Sequence, residues 1–409
     1  MEKFEAKSVC ILGRQPALGL AELESIYGEE HVRRLGDHAL LDIPAEEIDF
    51  RSLGGTIKTA RVLTSHSSTD WPRLANYLIE KVPPFVSQMD EGKFTLGLSV
   101  YGLSASPKQI AACLLEIKKR VRQTGRPVRI IPNQEPALNS AQVLHNKLIH
   151  KGAWELLLVR DGQRTLICQT LFVQDIEAYG ARDQARPARD SRVGMLPPKL
   201  AQILVNLAVG QLRFKDSVSW DRGDGLARIR VLDPFCGTGV ILQEALLMGF
   251  SAIGSDIDPK MVESSQKNIQ WLFGQYPNLA GQVDIELADA TKYQWPGFST
   301  IASEVFLGRP LNSLPPQDKL KQITSDANLI TKKFLQNLQP QLAAGRTFCI
   351  AVPAWRKPGG QLIDLPVIDQ LTDMGYNYWD LKTVRREELI YFREDQVVAR
   401  RLLRLKKAN

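Results

Sequence analysis

The stretch Val231-Leu-Asp-Pro-Phe-Cys-Gly-Thr-Gly239, then a helix-like run, then Ala252-Ile-Gly-Ser-Asp-Ile-Asp258, limits this chain's fold more than any other feature. An apolar strand runs into a glycine turn, a helix follows, and a second strand ends on an acid about nineteen residues beyond the turn. That is the first half of a nucleotide-type βαβ unit. Gly237 and Gly239 leave the backbone uncrowded, so a ligand can come close to the helix N-terminus. Asp256 ends the second strand, where a carboxylate can accept both hydroxyls of a ribose. The turn is not the GxGxxG that seats a pyrophosphate, so a dinucleotide is not the natural ligand. No catalytic His or Tyr constellation supports a nicotinamide-dependent oxidoreductase either.

At 409 residues the chain is long for one domain, and two or three are expected. Hydrophobic residues make up 44% and charged ones 24%, enough apolar content to bury ordinary cores. No apolar run approaches the length of a membrane span, and Met1-Glu-Lys-Phe-Glu-Ala-Lys7 has no signal-peptide character, so a soluble, cytoplasmic protein without a membrane partner is expected. The cysteines stand at 10, 113, 168, 236 and 349 with no Cys-x-x-Cys pair, which suggests neither a disulfide framework nor a metal site. His145 and His150 lie close together, but no acid or Cys accompanies them at ligand spacing.

Formal net charge is +7, a modest bias, and its distribution says more. Arg120, Arg122, Arg126 and Arg129 lie close together, as do Lys147, His150 and Lys151. Arg182, Arg186, Arg189, Arg192 and Lys199 form a third group. The tail carries Arg400, Arg401, Arg404, Lys406 and Lys407. Any one cluster reads by default as a solvated face; four together point to a phosphate-binding surface.

The first part of the chain mixes strands and helices as an α+β region. Strands are expected at 8–13, 39–43 and 59–63, and a helix over 18–27, with Leu53-Gly-Gly-Thr56 between them. Thr64 to Thr69 reads as a connection. A helix over 71–81, a strand over 94–101 and a helix over 107–123 follow. The last opens with Ser106-Pro107, as a cap and first turn should. Strands at 128–131, 154–160 and 165–173 come next, with Asp161-Gly162 as a hairpin signal. Helices should then lie on one face of a small sheet. Residues 179–196, rich in Arg, Asp and Pro, read as a linker. From Pro197-Pro198 a helix opens, and strands and helices alternate from Ile229 to about Leu405, as in a mostly parallel, doubly wound sheet.

The turn 233–239 resembles motif I of class I S-adenosylmethionine (SAM) methyltransferases, in the form typical of RNA and amino-group enzymes. Nearly the whole chain is similar, block by block, to the THUMP-bearing tRNA guanine-N2 methyltransferases. The blocks are 12–24, Leu53-Gly-Gly-Thr-Ile-Lys58, 138–148, 174–183, Arg186-Pro-Ala-Arg-Asp190, 195–207 and Leu389-Ile-Tyr-Phe-Arg-Glu-Asp-Gln-Val-Val-Ala-Arg400. The resemblance implies a Rossmann-like catalytic domain over 197–409, preceded by an N-terminal domain (1–65) and a THUMP-like RNA-binding domain (66–178). It implies SAM as cofactor, tRNA as partner, and methylation of a guanosine N2 amine; an activator subunit is left open. Asp233, Pro234, Phe235, Gly237, Thr238 and Gly239 would shape the methionine end of the cofactor pocket. Asp256 and Ile257 would lie at the ribose, and Asp289 and Ala290 by the adenine. Arg126, Arg129, Lys147, Arg182, Arg186 and Arg189 would meet RNA. Lys199 and Asn206 lie on the helix that covers the pocket in related enzymes, or else on an ordinary exposed polar face. Asp258 is a second acid of the pocket or the cap of the next helix.

The chain departs from that family where an amine would be methylated. Amino-methylating members carry Asp-Pro-Pro-Tyr or Asn-Pro-Pro-Tyr after the fourth strand. An exocyclic amine conjugated to a base is a poor nucleophile, and oxygens that accept its hydrogens direct the lone pair toward the methyl. Here the strand ends on Glu304-Val-Phe-Leu-Gly308. Glu304 is an acid one methylene longer, Val305 keeps a carbonyl without the proline constraint, and Phe306 offers a ring one position early. Two readings stay open: a modified working site built on Glu304, Val305 and Phe306, or a decayed site that still binds SAM or RNA. A DNA amino-methyltransferase shares motif I, but its target-recognition region would lie within or after the catalytic domain.

Overall fold

The computed structural model describes residues 4–89, 92–189, 196–215, 228–308, 310–311 and 313–408, in two compact units. One gathers residues 1–13, 31–50 and 56–177; the other gathers 14–30, 51–55 and 178–409.

The first unit is an eight-stranded sheet in the order β2-β3-β1-β4-β8-β7-β5-β6. The strands are β1 (Ser8–Leu12), β2 (Val32–Leu35), β3 (His38–Leu41), β4 (Thr56–His66), β5 (Phe94–Tyr101), β6 (Val128–Ile130), β7 (Ala153–Asp161) and β8 (Arg164–Val173). The boundary expected at 65/66 falls inside β4, and β4 pairs with β8, so the strands on either side of it share one sheet. Period-two alternation sets the layers. Leu156 and Leu158 of β7 join one core cluster, and Leu157 and Val159 join another.

Between β1 and β2 the chain forms α1 (Pro16–Tyr27), which belongs to the second unit. In the first unit α2 (Trp71–Ser87) and α3 (Pro107–Gln123) pack on the face bearing Leu156 and Leu158. Ser106 and Gln109 close a capping box at the start of α3, as the Ser-Pro signal implies. Helices are not confined to that face. A short α4 (Ser140–His145) and its flanks pack Leu138, Val143 and Leu148 into a further cluster with Ala153 and Val173. Gly97 makes room there, since a Cβ on it would lie 2.7 Å from Leu138 and Leu148. Lys58 is buried beside Glu155, and Ser99 and Thr170 donate hydrogen bonds to the same carboxylate, so neither charge is left bare.

The second unit is a nine-stranded sheet in which seven strands follow the order β11-β10-β9-β12-β13-β17-β15, while β14 pairs with β13 and β16 with β17. Its strands are β9 (Arg230–Asp233), β10 (Ser251–Asp256), β11 (Val283–Leu287), β12 (Thr300–Glu304), β13 (Thr347–Arg356), β14 (Leu362–Ile363), β15 (Tyr376–Tyr378), β16 (Ile390–Tyr391) and β17 (Val398–Lys407). β11, β10, β9, β12 and β13 pair in parallel, whereas β17 is antiparallel to β13. Strand order reverses between β9 and β12. Open α/β sheets hold ligands at such a switch point, outside the carboxyl ends of the strands.

The later helices are α5 (Ile176–Gln184), which begins in the first unit and ends in the second, and then, within the second, α6 (Pro198–Val209), α7 (Leu212–Lys215), α8 (Val240–Leu247), α9 (Pro259–Gln275) and α10 (Gln317–Leu338). The expected linker therefore begins as helix α5, and Arg192 and Met195 lie outside the described residues. Leu53-Gly-Gly-Thr56 is bound to α1: the Gly54 and Gly55 amides donate to Glu22 at 2.9 and 2.8 Å. Asn206 of α6 donates to the same carboxylate at 2.7 Å. A Cβ on Gly54 would lie 2.1 Å from the Lys199 carbonyl, so only glycine fits. Burial pushes the Glu22 carboxyl up to about 7, against the hydrogen bonds that stabilise its charge.

Candidate active site

β9 runs buried to Asp233, and the turn to α8 follows. Gly237 and Gly239 have φ of 50° and 83°, left-handed values that a side chain would strain. The two glycines serve different ends. A Cβ on Gly237 would meet nothing within 4 Å, whereas one on Gly239 would lie 2.4 Å from Ser265 Oγ of α9. Gly239 thus caps α8 and lets the two helices approach. It does not line the cleft, contrary to the expectation for it.

Asp256 ends β10, and its carboxylate is already partly engaged. Oδ2 accepts from the Gly237 amide at 3.0 Å and Oδ1 from the Asp258 amide at 2.9 Å. The acid thus locks the glycine turn and also lines the cleft. Burial raises its pKa, and these amides oppose the shift. Asp258 caps α9 by accepting from the Lys260 amide at 2.9 Å, as one of its two readings expected, and it also lines the cleft. Asp233 is fully buried and accepts from Ser303 Oγ at 2.6 Å and from the Phe235 amide at 3.3 Å. Burial, with Asp256 and Glu304 nearby, pushes it up to about 7.

These groups surround a cleft of about 600 Å³ lying wholly in the second unit. Asp233, Pro234, Phe235, Gly237, Thr238, Asp256, Ile257, Asp289, Ala290, Glu304, Val305 and Phe306 all line it. Asp289 is held by the Thr291 amide and hydroxyl at 2.9 and 2.7 Å, which keep its carboxyl below its usual value. On the far wall Val305 sends its side chain into the core, while Phe306 is 42% exposed at the cleft. Leu329, Ile330 and Lys333 of α10 complete that wall. Nothing in the sequence marks them, since α10 reads as an ordinary amphipathic helix.

Glu304 ends β12 beside Asp233. Its Oε1 accepts from Arg400 Nε of β17 at 2.6 Å, and both side chains are nearly buried. Burial raises the Glu304 pKa and Arg400 lowers it. Glu304 lines the cleft; Arg400 does not.

The basic clusters separate on burial. Arg182 pairs with Glu244 at 2.9 Å and stacks over Tyr179, and Arg186 is 2% exposed with Nη1 3.3 Å from Thr238 Oγ1. Both are consumed by the fold, so the expectation that they meet RNA is withdrawn. Arg126 spends its guanidinium on the Val86, Met89 and Gly92 carbonyls. Arg129, Lys147 and Arg189 remain exposed. In the tail Arg400 and Arg404 are buried, Arg404 lying over the Trp379 ring, and Arg401 is bidentate to Asp364. Asn206 is fully buried among Glu22, Ser52 and Arg213, and Lys199 lies over Tyr179; neither lines the cleft.

No family model matches the chain. Over 209 residues it is 30% identical to a tRNA (guanine(10)-N2)-dimethyltransferase of Methanothermobacter thermautotrophicus, covering 49% of this chain and 51% of the relative. A Pyrococcus abyssi protein of the same name is 31% identical over 167 residues, 40% of each chain. The match thus spans about half the length of the first of these curated relatives and less of the second. Among solved structures, SMU.472 in complex with S-adenosylhomocysteine (SAH) superposes with a TM-score of 0.50 at 11% identity, over 100% of this chain and 99% of that one. The fold is that of the class I methyltransferases. A cleft of this size lies within the roughly 300–1,000 Å³ usual for cofactor sites, and its residues suit an adenosyl ligand: a bare turn at Gly237, an acid at a strand end, and Asp289 beside apolar Ile257 and Ala290.

Proposed function

We propose that this protein is a SAM-dependent RNA methyltransferase acting on the exocyclic N2 amine of a guanosine in tRNA. The observation that carries the reading is the placement of Glu304 at the end of β12, on the same cleft as Gly237 and Asp256. The names of the curated relatives support guanosine in tRNA as the target. SAM, when bound, supplies an electrophilic methyl group on a sulfonium. In this reading Asp256 accepts the ribose hydroxyls, Asp289 takes the adenine amino group, and the turn at Gly237 admits the methionine end. Glu304 accepts a hydrogen of the target amine, which turns the nitrogen lone pair toward the methyl, and the Phe306 ring stacks on the base. Asp233, one strand away and titrating about 7, shares the negative field that would favour a positive centre.

RNA would reach the cleft from a cytoplasmic tRNA held mainly through phosphates. The N-terminal α+β unit is read as THUMP-like, with Arg129 and Lys147 in its contact surface and Arg189 nearer the cleft in sequence. The test uses the full chain, labelled SAM and unmodified tRNA transcripts, with the product nucleoside identified by mass. Formation of N2-methyl- or N2,N2-dimethylguanosine is expected. SAH binding without turnover on any tRNA would replace this reading with a binding protein, and absence of SAH binding would remove the methyltransferase altogether.

A further inference from the structure

Arg400 is an unusual neighbour for an acid at the mouth of a reaction cleft. It stands on β17 opposite Pro353 of β13, while Glu304 stands on β12 opposite Ala351. Its guanidinium must therefore cross β13 to reach the carboxylate, and the residues it crosses are small or lack an amide proton. The bond is 2.6 Å, with 5% of the Arg400 side chain and 14% of the Glu304 side chain exposed. Arg400 Nη1 is further held by Gln396 at 3.4 Å, and the guanidinium lies 5.8 Å from the Tyr391 ring. Only one carboxylate oxygen is taken in this way. Among the described residues Glu304 Oε2 receives no hydrogen bond, and the side chain opens on the cleft.

We propose that Arg400 is a positioning residue: by binding Oε1 it turns Oε2 of Glu304 into the cleft as the acceptor for the target amine. This rests on the function proposed above and explains how a longer acid can serve where related enzymes use a rigid Asp-Pro-Pro-Tyr turn. A glutamate has one more rotatable bond than an aspartate, and an unheld side chain would have to be ordered at each encounter. A charge-assisted bond to a guanidinium removes that freedom beforehand. It also opposes the burial that drives the acceptor toward its protonated form. The groups facing Glu304 are Asp233 from β9, which repels its charge, and Arg400 from β17, which attracts it. β13 offers only Ala351 and Pro353 at this level, and Asp256 and Lys333 lie elsewhere on the cleft wall. Without Arg400, burial and Asp233 both favour the protonated acid, which cannot accept in the same way.

The experiment follows the Glu304 carboxyl by carbon NMR in full-length protein with ¹³C-labelled glutamate, the signal being identified by its loss in Glu304→Gln. In Arg400→Gln the Glu304 titration should rise by at least one pH unit, a tenfold change in proton affinity; Arg400→Lys should give a smaller rise. The acid limb of single-turnover methyl transfer should move up by the same amount, with much of the rate regained at higher pH and SAH affinity within about threefold of wild type. Glu304→Asp, which withdraws the carboxylate from an intact Arg400, should move the acid limb of methyl transfer the same way, and with ¹³C-labelled aspartate its own carboxyl titration should be raised; it covers the case in which Arg400→Gln does not fold. An unmoved Glu304 titration, or a rate loss equal at every pH, overturns the proposal. A moved titration in a protein that transfers no methyl to any tRNA leaves the Arg400–Glu304 coupling standing and overturns the proposed function instead.

Discussion

Asp256 and Glu304 both end parallel strands and both open on the cleft, yet they are held by different means. Asp256 is fixed by amides of its own neighbourhood, nineteen and two residues away in sequence. Glu304 is fixed by one side chain 96 residues away. Backbone amides cannot be mutated away and change little with pH, so the β10 side should tolerate substitution around it. The β12 side depends on a single guanidinium and should be brittle. If the cleft works as proposed, cofactor affinity and methyl transfer will respond to different residues.

The largest expected effect tests the brittle side. Glu304→Ala should lower the rate of methyl transfer by about 10²–10³, the usual cost of about 2.7–4 kcal/mol for a lost preorganised contact, while SAH affinity stays close to wild type. Glu304→Gln keeps an oxygen and should lose less. Activity that survives Glu304→Ala means another group orients the amine, and the contrast between the two walls collapses.

On the other wall, Asp256→Ala should weaken SAH binding ten- to a hundredfold, about 1.5–3 kcal/mol, as read by titration calorimetry. Because Asp256 also anchors the Gly237 and Asp258 amides, Asp256→Asn should fall between the two. Unchanged affinity in a folded Asp256→Ala protein removes this residue from the cofactor site.

Asp233 sits between the walls, and its effect is on stability. Its folded pKa of about 7 lies above the ordinary 3.8, so the native state binds the extra proton between those values. This contribution to stability is full below about pH 4 and is lost as pH rises through 7. Glu22 and Glu244, also pushed to about 7 by burial, act in the same direction. Thermal unfolding should therefore show a falling melting temperature from pH 5 to pH 8, and Asp233→Asn should flatten part of that slope. An unaltered slope in the variant would falsify the assignment of that proton to Asp233.

The smallest effect concerns Lys333, on the α10 wall. Lys333→Ala should weaken tRNA binding only a few-fold and reduce the slope of log affinity against log salt by about one, with SAH binding untouched. A loss of SAH affinity would put this lysine on the cofactor side.

The same contrast explains what could be read from the chain beforehand. The glycine turn, the acid nineteen residues on, and Asp289 depend on local spacing, and a single sequence carries that information. So does Glu304, because it follows an apolar strand of the right length. Arg400 could not be found this way. It looked like part of a basic tail, since nothing in Val398-Ala-Arg-Arg-Leu-Leu-Arg404 distinguishes an arginine buried against a partner from one in water. Arg182, Arg186 and Arg404 misled for the same reason: charge counts from sequence assume exposure, and ion pairs and ring stacking decide it. The Gly54-Gly55 step was visible only as punctuation. Its cause is close approach to Lys199 and amide donation to Glu22, contacts made far along the chain.

The passage of α1 and residues 51–55 into the second unit has a consequence for how the protein can be taken apart. A cut at the start of α6 would strip Glu22 and the two glycine amides from Asn206, leaving a buried amide and Arg213 facing solvent. The nine-stranded sheet is therefore not a separable cassette, and no single crossover point in the gene could exchange one unit while leaving the other whole. An exchange of the first unit would have to carry segments 1–13, 31–50 and 56–177 together, leaving α1 and residues 51–55 behind with the second unit.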